Sequence, residues 1–273
     1  QVEPVQKTIK AGEIIVREGE RVTAEQISIL EQLGMQRPKN YPVTMAGLIA
    51  FLVITTLLGL KFLKKYYHDL YKNDRLLFLI ALIIAIILLI ARFLMAIKIG
   101  DRPEINLLTG YLAPVAAGSM LIAILLDGRL GYFVTMLMAL YVGLLSDGNQ
   151  LYYAIVAFVG GAVGVYRVSK FSQNSDLAKS GLYIASVNIV IIITLSLLDS
   201  SASVHVSLMG AAMGAINGIL SAVLMIGALP YLETAFSITS MMKLLELSNP
   251  NNPLLKQLLL EAPGTYHHSL MVA

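Results

Sequence analysis

Seven long apolar segments follow one another along this chain, separated by short polar stretches. They lie at residues 44–63, 76–97, 107–126, 130–146, 150–168, 180–198 and 206–229. Most approach the roughly 20 residues that an α-helix needs to cross a bilayer, although the fourth and fifth are short. The pattern therefore predicts an all-α polytopic membrane protein with a seven-helix bundle. Six or eight spans stay open as alternatives because the boundaries within 107–168 are the least distinct.

The residues before the first apolar segment predict a short α/β remnant. The apolar run at 13–16 precedes a Glu-Gly-Glu turn and predicts a strand. Thr23 and Gln26 form a capping box, which predicts that a helix begins there. This helix should continue to about Leu33, with Gly34 as its left-handed cap. Prolines then mark a linker to the first span.

The residues after the last apolar segment predict three short helices. Beyond Pro230 the sequence becomes amphipathic, which indicates a helix outside the membrane. Asparagines and prolines at 249–253 break that helix, and 254–260 predicts a second one. A third helix should begin near Thr265 and continue to the last residue. These patterns divide the chain into three parts, 1–42, 43–230 and 231–273.

Composition agrees with a membrane protein whose main partner is the lipid bilayer. Hydrophobic residues make up 57% and charged residues 14% of the chain, against about 45–50% and about 25% in soluble domains. The sequence has no cysteine, which excludes disulfides and cysteine-ligated zinc. A net charge of +3 is too small to indicate a nucleic-acid partner.

The charges between the spans predict the orientation of the chain. Nine basic residues lie in the loops on one side: Lys61, Lys64, Lys65, Lys72, Arg75, Arg129, Arg167, Lys170 and Lys179. The loops on the other side hold only Lys98 and Arg102. Because cytoplasmic loops are enriched in lysine and arginine, we expect the N-terminus outside the cell and the C-terminus in the cytoplasm.

Small and polar residues within the spans are candidates for helix packing or ligand binding. Gly210, Gly214 and Gly218 recur every four residues in the seventh span. This spacing lets helices approach closely, and the side chains of Asn188 and Asn217 could hydrogen-bond across such a seam. A structural role in packing is the favoured interpretation, and a ligand pocket is the alternative.

Ionisable residues lie near the ends of several spans. Arg92 comes late in the second span, where it could extend to the outer interface or face a polar cavity. Asp127, Asp147, Asp199 and His205 also lie at span ends. Solvated interface positions are the favoured interpretation of this group, and an ion pathway or an extracytoplasmic ligand site is the alternative.

His267 and His268 are the candidate metal ligands. Adjacent residues on a helix point about 100° apart, so these two cannot share a metal as an i, i+4 pair can. The chain contains no carboxylate at ligand spacing from them. Spacing alone therefore favours two ordinary polar residues at a helix start.

A resemblance to a known family favours metal binding by one of these two histidines. The run from His268 to Ala273 resembles the opening helix of HD-superfamily phosphohydrolases, in which His-x-x-x-Val-Ala carries the first metal-ligating histidine. Together with 247–255 and 261–267 it resembles a narrower family, the seven-transmembrane receptors with an intracellular HD hydrolase domain. These are known as bacterial cyclic di-AMP phosphodiesterases. Residues 11–23 resemble the end of their extracellular sensor domain.

The resemblance implies a phosphodiesterase of the bacterial plasma membrane that uses two divalent metal ions, manganese or iron. His268 would be the first ligand and His267 a weaker candidate. The downstream His-Asp pair and the further ligands are absent from this sequence. We therefore expect a fragment, extended at both ends in nature, that has no complete catalytic site and no activity alone. Whether it forms a homo-oligomer stays open.

Two other functions compete with this interpretation. A transporter or permease without hydrolase activity would use the glycine-rich spans and the asparagines as a substrate path. The sequence shows no convincing internal repeat, and an odd number of spans does not divide into two equal halves. A membrane scaffold without a ligand is the third alternative.

Overall fold

The computed structural model describes residues 14–16, 20–32, 41–98, 103–146, 148–169, 174–198, 203–240, 243–244 and 253–272. Every regular element in these ranges is helical. The fold class is therefore the all-α membrane bundle that the sequence predicts. Some predicted features lie outside the described residues: Glu13, Leu33, Gly34, linker residues 37–40, Arg102, Asp147, Lys170, Asp199 and the break at 249–252.

The chain divides into two compact units, residues 1–62 and 63–273. The first unit contains helix α1, Ala24–Gln32, and most of helix α2, Tyr41–Tyr66. The predicted capping box at the start of α1 is confirmed: the backbone N–H of Thr23 donates to Gln26 Oε1 at 2.8 Å, and the Gln26 N–H donates to Thr23 Oγ1 at 3.3 Å.

The strand predicted over 13–16 is wrong for the residues that the structure describes. Residues 14–16 pair with no strand in the described part of the chain. A strand needs a neighbour to satisfy its backbone donors and acceptors. Here the Ile15 carbonyl instead accepts a hydrogen bond of 2.9 Å from the side-chain Nε2 of Gln26. The α/β character predicted for this end is therefore absent from these residues.

Among the described residues, the second unit contains the α-helices that follow and a 3-10 helix. The α-helices are α3 His68–Tyr71, α4 Asp74–Met95, α5 Pro103–Leu107, α6 Val115–Leu125, α7 Gly128–Leu145, α8 Gln150–Val168, α9 Asn174–Leu198, α10 Val204–Phe236, α11 Pro253–Glu261 and α12 Pro263–Val272. The 3-10 helix, Leu108–Leu112, lies between α5 and α6.

Seven segments of the described chain are long and apolar enough to span a membrane, as predicted. They are Pro42–Tyr66, Asp74–Met95, Ile105–Leu125, Gly128–Leu145, Gln150–Val168, Leu177–Leu198 and Val204–Phe236. Large apolar side chains remain exposed on these helices; Leu89 is 70% exposed and Leu197 is 81% exposed. Soluble proteins rarely expose extended apolar surface, so these faces suit contact with lipid.

Helix α6 lies at the centre of the second unit. It packs against α4, α7, α8 and α10. Every residue of α6 except Ala123 is buried. A helix that is apolar on all sides requires this position, because it has no polar face to turn toward water. The bundle is thus built around an α-helix of only 11 residues.

The third span is interrupted and is not the single helix predicted at 107–126. The 3-10 helix ends at Leu112, and Ala113 and Pro114 separate it from α6. Proline disfavours helical geometry at the preceding residue, which places the break before Pro114. Helix α6 alone has 11 residues and is about 16 Å long, roughly half the hydrocarbon thickness of a bilayer.

The seventh span extends past the end predicted at residue 229. Helix α10 continues through Pro230 to Phe236, so the seventh span and the start of the amphipathic segment predicted beyond Pro230 form one helix. Membrane helices tolerate a proline when nearby groups satisfy the freed backbone atoms. The carbonyl that loses its helical donor is that of Ile226, four residues before the proline; the bond of 2.8 Å that Thr234 Oγ1 donates goes to a different group, the Pro230 carbonyl. The helix ends at Ser237, whose φ of 54° places it in the left-handed region.

Candidate functional site

The two candidate metal ligands lie on α12. His267 and His268 occupy the middle of this helix, and both are exposed. Because they are consecutive, they point to different sides of the helix. The described residues contain no group of three or more His, Asp or Glu side chains that could hold a metal ion. A catalytic metal needs about three protein ligands, so this part of the chain does not fit a complete metal site.

The glycines of the seventh span lie against α9. A methyl group added at Gly214 would lie 2.4 Å from Ile192 Cδ1, and one added at Gly218 would lie 2.3 Å from the Ala185 backbone nitrogen. At Gly210 the nearest atom would be 3.3 Å away, on the Ile192 side chain. The backbones of α9 and α10 therefore make close contact around Gly218, as small residues at a helix–helix interface allow. We refer to this interface, lined by Gly210, Gly214 and Gly218, as the seam between α9 and α10.

Asn188 is buried in this seam and its side chain is only partly hydrogen-bonded. Its Nδ2 donates to the Gly214 carbonyl at 3.2 Å. Its buried Oδ1 has no hydrogen-bond partner in the described part of the chain. That oxygen faces α8, where a methyl group added at Gly160 would lie 2.7 Å from it. Asn188 thus contacts glycines on both α8 and α10, and Oδ1 faces backbone instead of a cavity.

Asn217 is buried at the break in the third span. Its Nδ2 donates to the carbonyls of Tyr111 and Ala113 at 2.7 and 2.8 Å. Its Oδ1 accepts a hydrogen bond of 3.2 Å from Ser221 Oγ. Backbone carbonyls next to a helix break in a membrane need such partners, because lipid offers none. One side chain of α10 therefore satisfies the interrupted backbone beside α6.

Arg92 lies at the end of α4 beside a cavity with a mixed polar and apolar lining. Its Nη1 donates to the Leu145 carbonyl at the end of α7, at 3.2 Å. The cavity has a volume of about 240 Å³, and Lys98, Asn106, Thr109 and Tyr153 also line it. Arg92 is exposed and also lines this cavity, so the outer interface and a polar cavity both stay predictions for its environment.

A hydrogen bond at the opposite end of the bundle joins two loops. Tyr67 Oη, directly after α2, donates to Asp127 Oδ1 at 2.5 Å. Asp127 also caps α7, because Oδ1 accepts from the backbone N–H groups of Arg129 and Leu130. Burial raises the pKa of Tyr67 to about 12, and its bond to Asp127 adds to the shift. Burial opposes ionisation of Asp127, but the bond from Tyr67 and those from the backbone outweigh it and lower its pKa.

Comparison with known proteins agrees with this architecture. Residues 42–240 match the family described as "7TM receptor with intracellular HD hydrolase". The chain belongs to this family. Residues 1–37 match a second, associated family described as "7TM-HD extracellular". The chain is thus a multi-pass membrane segment of the receptor–hydrolase family, and the predicted resemblance is confirmed.

Curated relatives match nearly the whole chain. It is 32% identical to the cyclic-di-AMP phosphodiesterase PgpH of Bacillus subtilis, over 98% of the chain and 38% of the relative. It is 30% identical to the protein of the same name from Listeria monocytogenes, over 97% of the chain and 37% of the relative. The chain therefore spans little more than a third of the length of these relatives. No solved structure matches it.

The receptor–hydrolase family bears on the functions that the sequence left open. Its members combine a membrane domain with a hydrolase, and the two named relatives are phosphodiesterases. A transporter without hydrolase activity is not favoured by these findings. The family name implies a metal-dependent hydrolase, although it does not specify the metal.

The sequence analysis missed the polar contacts at the centre of this receptor–hydrolase bundle. It identified Asn217 but not the Tyr111 and Ala113 carbonyls that Asn217 binds. It also missed Ser119 on α6 and Thr135 on α7, whose hydroxyl oxygens lie 2.7 Å apart in the core. The signal for the first contact was present, since an Ala-Pro pair inside an apolar segment indicates a helix break. Nothing in the sequence indicates the second contact.

Proposed function

We propose that this chain is the membrane portion of a cyclic di-AMP phosphodiesterase whose hydrolase domain follows residue 273. The observation that carries the proposal is the match of nearly the whole chain to two phosphodiesterases of that name. Residues 1–42 would then end an extracellular sensor, 43–230 would form the membrane domain, and 231–273 would lead into the hydrolase.

The proposed orientation places the N-terminus outside the cell and the C-terminus in the cytoplasm. Nine basic loop residues on one side against two on the other support it. The cysteine-free sequence allows a direct test with single cysteines. In intact cells, a membrane-impermeant thiol reagent should label Asn149→Cys and leave Lys72→Cys unlabelled. Both positions are exposed, and they lie at opposite ends of the bundle. The reverse labelling pattern would overturn the orientation.

His268 is the residue that we propose as the first metal ligand, with His267 as the weaker candidate. Its support is the family motif in which it lies, followed by Val272 and Ala273. Its exposure on α12 leaves the imidazole accessible to ligands from residues beyond this chain. The metal itself, which we propose to be manganese or iron, would need those further ligands. The residues of this chain would therefore supply only one side of its coordination shell.

Helix α10 is the element that we propose to connect the membrane domain to the hydrolase. Its 33 residues make it about 50 Å long, whereas the bilayer core is about 30 Å thick. At its inner end Phe236 lies beside Phe78 of α4, with ring centroids 6.2 Å apart. Beyond the left-handed Ser237, the Ser240 hydroxyl donates to Glu233. A movement of α10 relative to α4 would therefore reach the following segment through a short, hydrogen-bonded turn.

The activity itself is tested with the longer protein in membranes. The proposal predicts that these membranes hydrolyse cyclic di-AMP faster than cyclic di-GMP at equal concentration. Membranes with the 273-residue chain alone should hydrolyse neither substrate. Equal turnover of both substrates would remove cyclic di-AMP as the specific substrate. No turnover of either would remove the phosphodiesterase assignment.

A further inference from the structure

Arg167 lies at the end of the fifth span, and its guanidinium lies over an aromatic ring of the sixth. Arg167 is the residue before the last in α8, and its guanidinium carbon is 4.0 Å from the centre of the Tyr183 ring. Tyr183 is six residues inside the apolar segment Leu177–Leu198, which is about 9 Å along the helix axis. The positive charge of Arg167 is therefore held beside an apolar part of α9.

The surface around this Arg167–Tyr183 stack is exposed. The Tyr183 side chain is 49% exposed and that of its neighbour Leu182 is 62% exposed. Tyr166, which precedes Arg167, is exposed as well. Both helices belong to the second compact unit and to spans that are long and apolar enough to cross a membrane. The stack therefore suits a position at the lipid-facing surface of the bundle.

The described residues do not compensate the charge of Arg167. The guanidinium contacts the Tyr183 ring and forms no ion pair in the described part of the chain. Its Nε is buried there without a hydrogen-bond partner. The face of the ring attracts the cation, but it does not replace acceptors for the five N–H groups of an arginine. Charged side chains at membrane depth are costly and pair with other groups, so Arg167 requires an anion from elsewhere.

The nearest acidic residue before Tyr183 on α9 is too far along the helix to serve at the ring. It is Asp176, whose side chain lies outside the described residues. The seven residues between the two positions place their backbones about 10 Å apart along the axis. An ion pair needs about 4 Å between its charged atoms. The anion that the membrane itself supplies beside an exposed apolar face is the phosphate of a phospholipid.

The geometry of the stack suits a phosphate. Guanidinium groups bind phosphate oxygens through two parallel N–H bonds. Because Arg167 is half-buried and its Nε faces the protein, the terminal nitrogens are the part that can reach a ligand. Contact with the ring fixes the plane of the guanidinium, so less side-chain freedom is lost on binding. We propose that Arg167 and Tyr183 bind the headgroup phosphate of an anionic phospholipid whose acyl chains lie along the exposed face of α8 and α9.

Thermal unfolding of the chain in nanodiscs tests this proposal, which does not depend on phosphodiesterase activity. Phosphatidylglycerol replaces phosphatidylcholine in steps at constant ionic strength, and the unfolding temperature should rise and then saturate. In phosphatidylcholine discs, inorganic phosphate alone should leave the unfolding temperature unchanged. A saturable rise with inorganic phosphate would refute a lipid site in favour of a solute site. An unfolding temperature that does not respond to phosphatidylglycerol would also refute it.

Variants make the test specific to the stack. Arg167→Gln should raise the phosphatidylglycerol fraction at half-saturation about tenfold, since charged hydrogen bonds are lost. Arg167→Lys keeps the charge without the planar fork and should retain part of the response, which separates lipid binding from misfolding. Tyr183→Leu should weaken the response less than Arg167→Gln.

Arg75→Gln is the matched control, because it removes the same charge from an exposed position at the start of α4. It should respond to phosphatidylglycerol as the parent does. Native mass spectrometry of the released chain gives a second measurement: the parent and Arg75→Gln should retain one more phosphatidylglycerol than Arg167→Gln. Equal lipid responses of Arg167→Gln and Arg75→Gln would show general attraction to a charged surface and would overturn the proposed site.

Discussion

The seam between α9 and α10 and the break in the third span both bury an asparagine, but the two regions depend on different interactions. In the seam, Asn188 donates one hydrogen bond and leaves its Oδ1 without a partner in the described residues, while glycines bring the backbones together. At the break, Asn217 donates two hydrogen bonds and accepts a third. The seam therefore depends on the absence of side-chain volume, and the break depends on the presence of a polar side chain.

This difference predicts which change each region tolerates. A helix carbonyl such as that of Gly214 lies inside a continuous helix, so its bond from Asn188 is an addition to regular structure. The Tyr111 and Ala113 carbonyls lie at the edge of a helix break, where regular bonding ends. Loss of a bond should therefore cost more at the break, and gain of a methyl group should cost more at the seam.

Gly218→Ala should have the largest effect of the changes considered. The new methyl group would lie 2.3 Å from the Ala185 backbone nitrogen, and backbone cannot turn aside as a side chain can. We expect a loss of about 3 kcal/mol in the free energy of unfolding. Denaturant unfolding in micelles measures it. Gly227→Ala, on the same helix with no neighbouring atom within 4 Å, is the control and should not destabilise. Equal stability of the two variants would contradict close backbone contact at the seam.

Asn217→Ala should be the next most damaging change. It removes two hydrogen bonds to buried carbonyls, and we expect a loss of about 2 kcal/mol in the free energy of unfolding. Hydrogen exchange should also accelerate at residues 108–115. Ser221→Ala, which removes only the bond to Oδ1, serves as the milder comparison. If Asn217→Ala left exchange over 108–115 unchanged, the break would not depend on this side chain.

Tyr67→Phe should have a smaller effect, because the bond to Asp127 lies outside the spans where water can replace it. We expect a loss of about 1 kcal/mol at neutral pH. The pKa of Tyr67 is raised from 10.0 to about 12. The parent should therefore lose stability as pH rises from 10 to 12, since ionisation favours the unfolded chain.

The acid side of this contact has the opposite sign. The pKa of Asp127 is lowered below its ordinary value of 3.8, so its contribution is present above that pH and is lost as pH falls further. Unfolding temperatures of the parent and Tyr67→Phe, measured from pH 3 to 12, test the expected losses of stability at high pH and at low pH. Parallel curves for the two proteins above pH 10 would contradict the role of Tyr67.

Asn188→Ala should have the smallest effect. It removes a single interhelical bond and also the buried Oδ1 that lacks a partner in the described residues. Such bonds contribute about 0.6 kcal/mol on average in membrane bundles, and relief of the unpaired oxygen offsets part of that loss. The same micelle unfolding assay compares it with Asn217→Ala. A loss at Asn188 as large as that at Asn217 would erase the contrast between the two regions.

The sequence predicted the features that depend on local composition. Apolar length located all seven spans to within a few residues, apart from the last end, and the Thr23–Gln26 cap follows from two side chains three residues apart. The backbones of α9 and α10 are in close contact around Gly218, and close contact of this kind is what the glycine spacing favours. These features need only the preferences of a few neighbouring residues.

The features that it missed depend on partners far along the chain. The last span was predicted to end at residue 229, but α10 continues through Pro230 to Phe236. The break before Pro114 is stabilised by Asn217, about a hundred residues away in sequence. A strand at 13–16 would need a neighbouring strand that the described residues do not contain. The role proposed for His268 rests on the family motif, because the described residues contain no group of three or more His, Asp or Glu side chains that could hold a metal ion.

The most direct test of the account is cyclic di-AMP hydrolysis by the longer protein and its histidine variants in membranes. His268→Ala should lower kcat at least 100-fold and His267→Ala less, because a lost metal ligand removes most activity. His205→Ala, at the start of α10, should match the parent. Full activity of His268→Ala, at parental protein levels, would contradict the claim that this chain opens a metal-dependent phosphodiesterase domain.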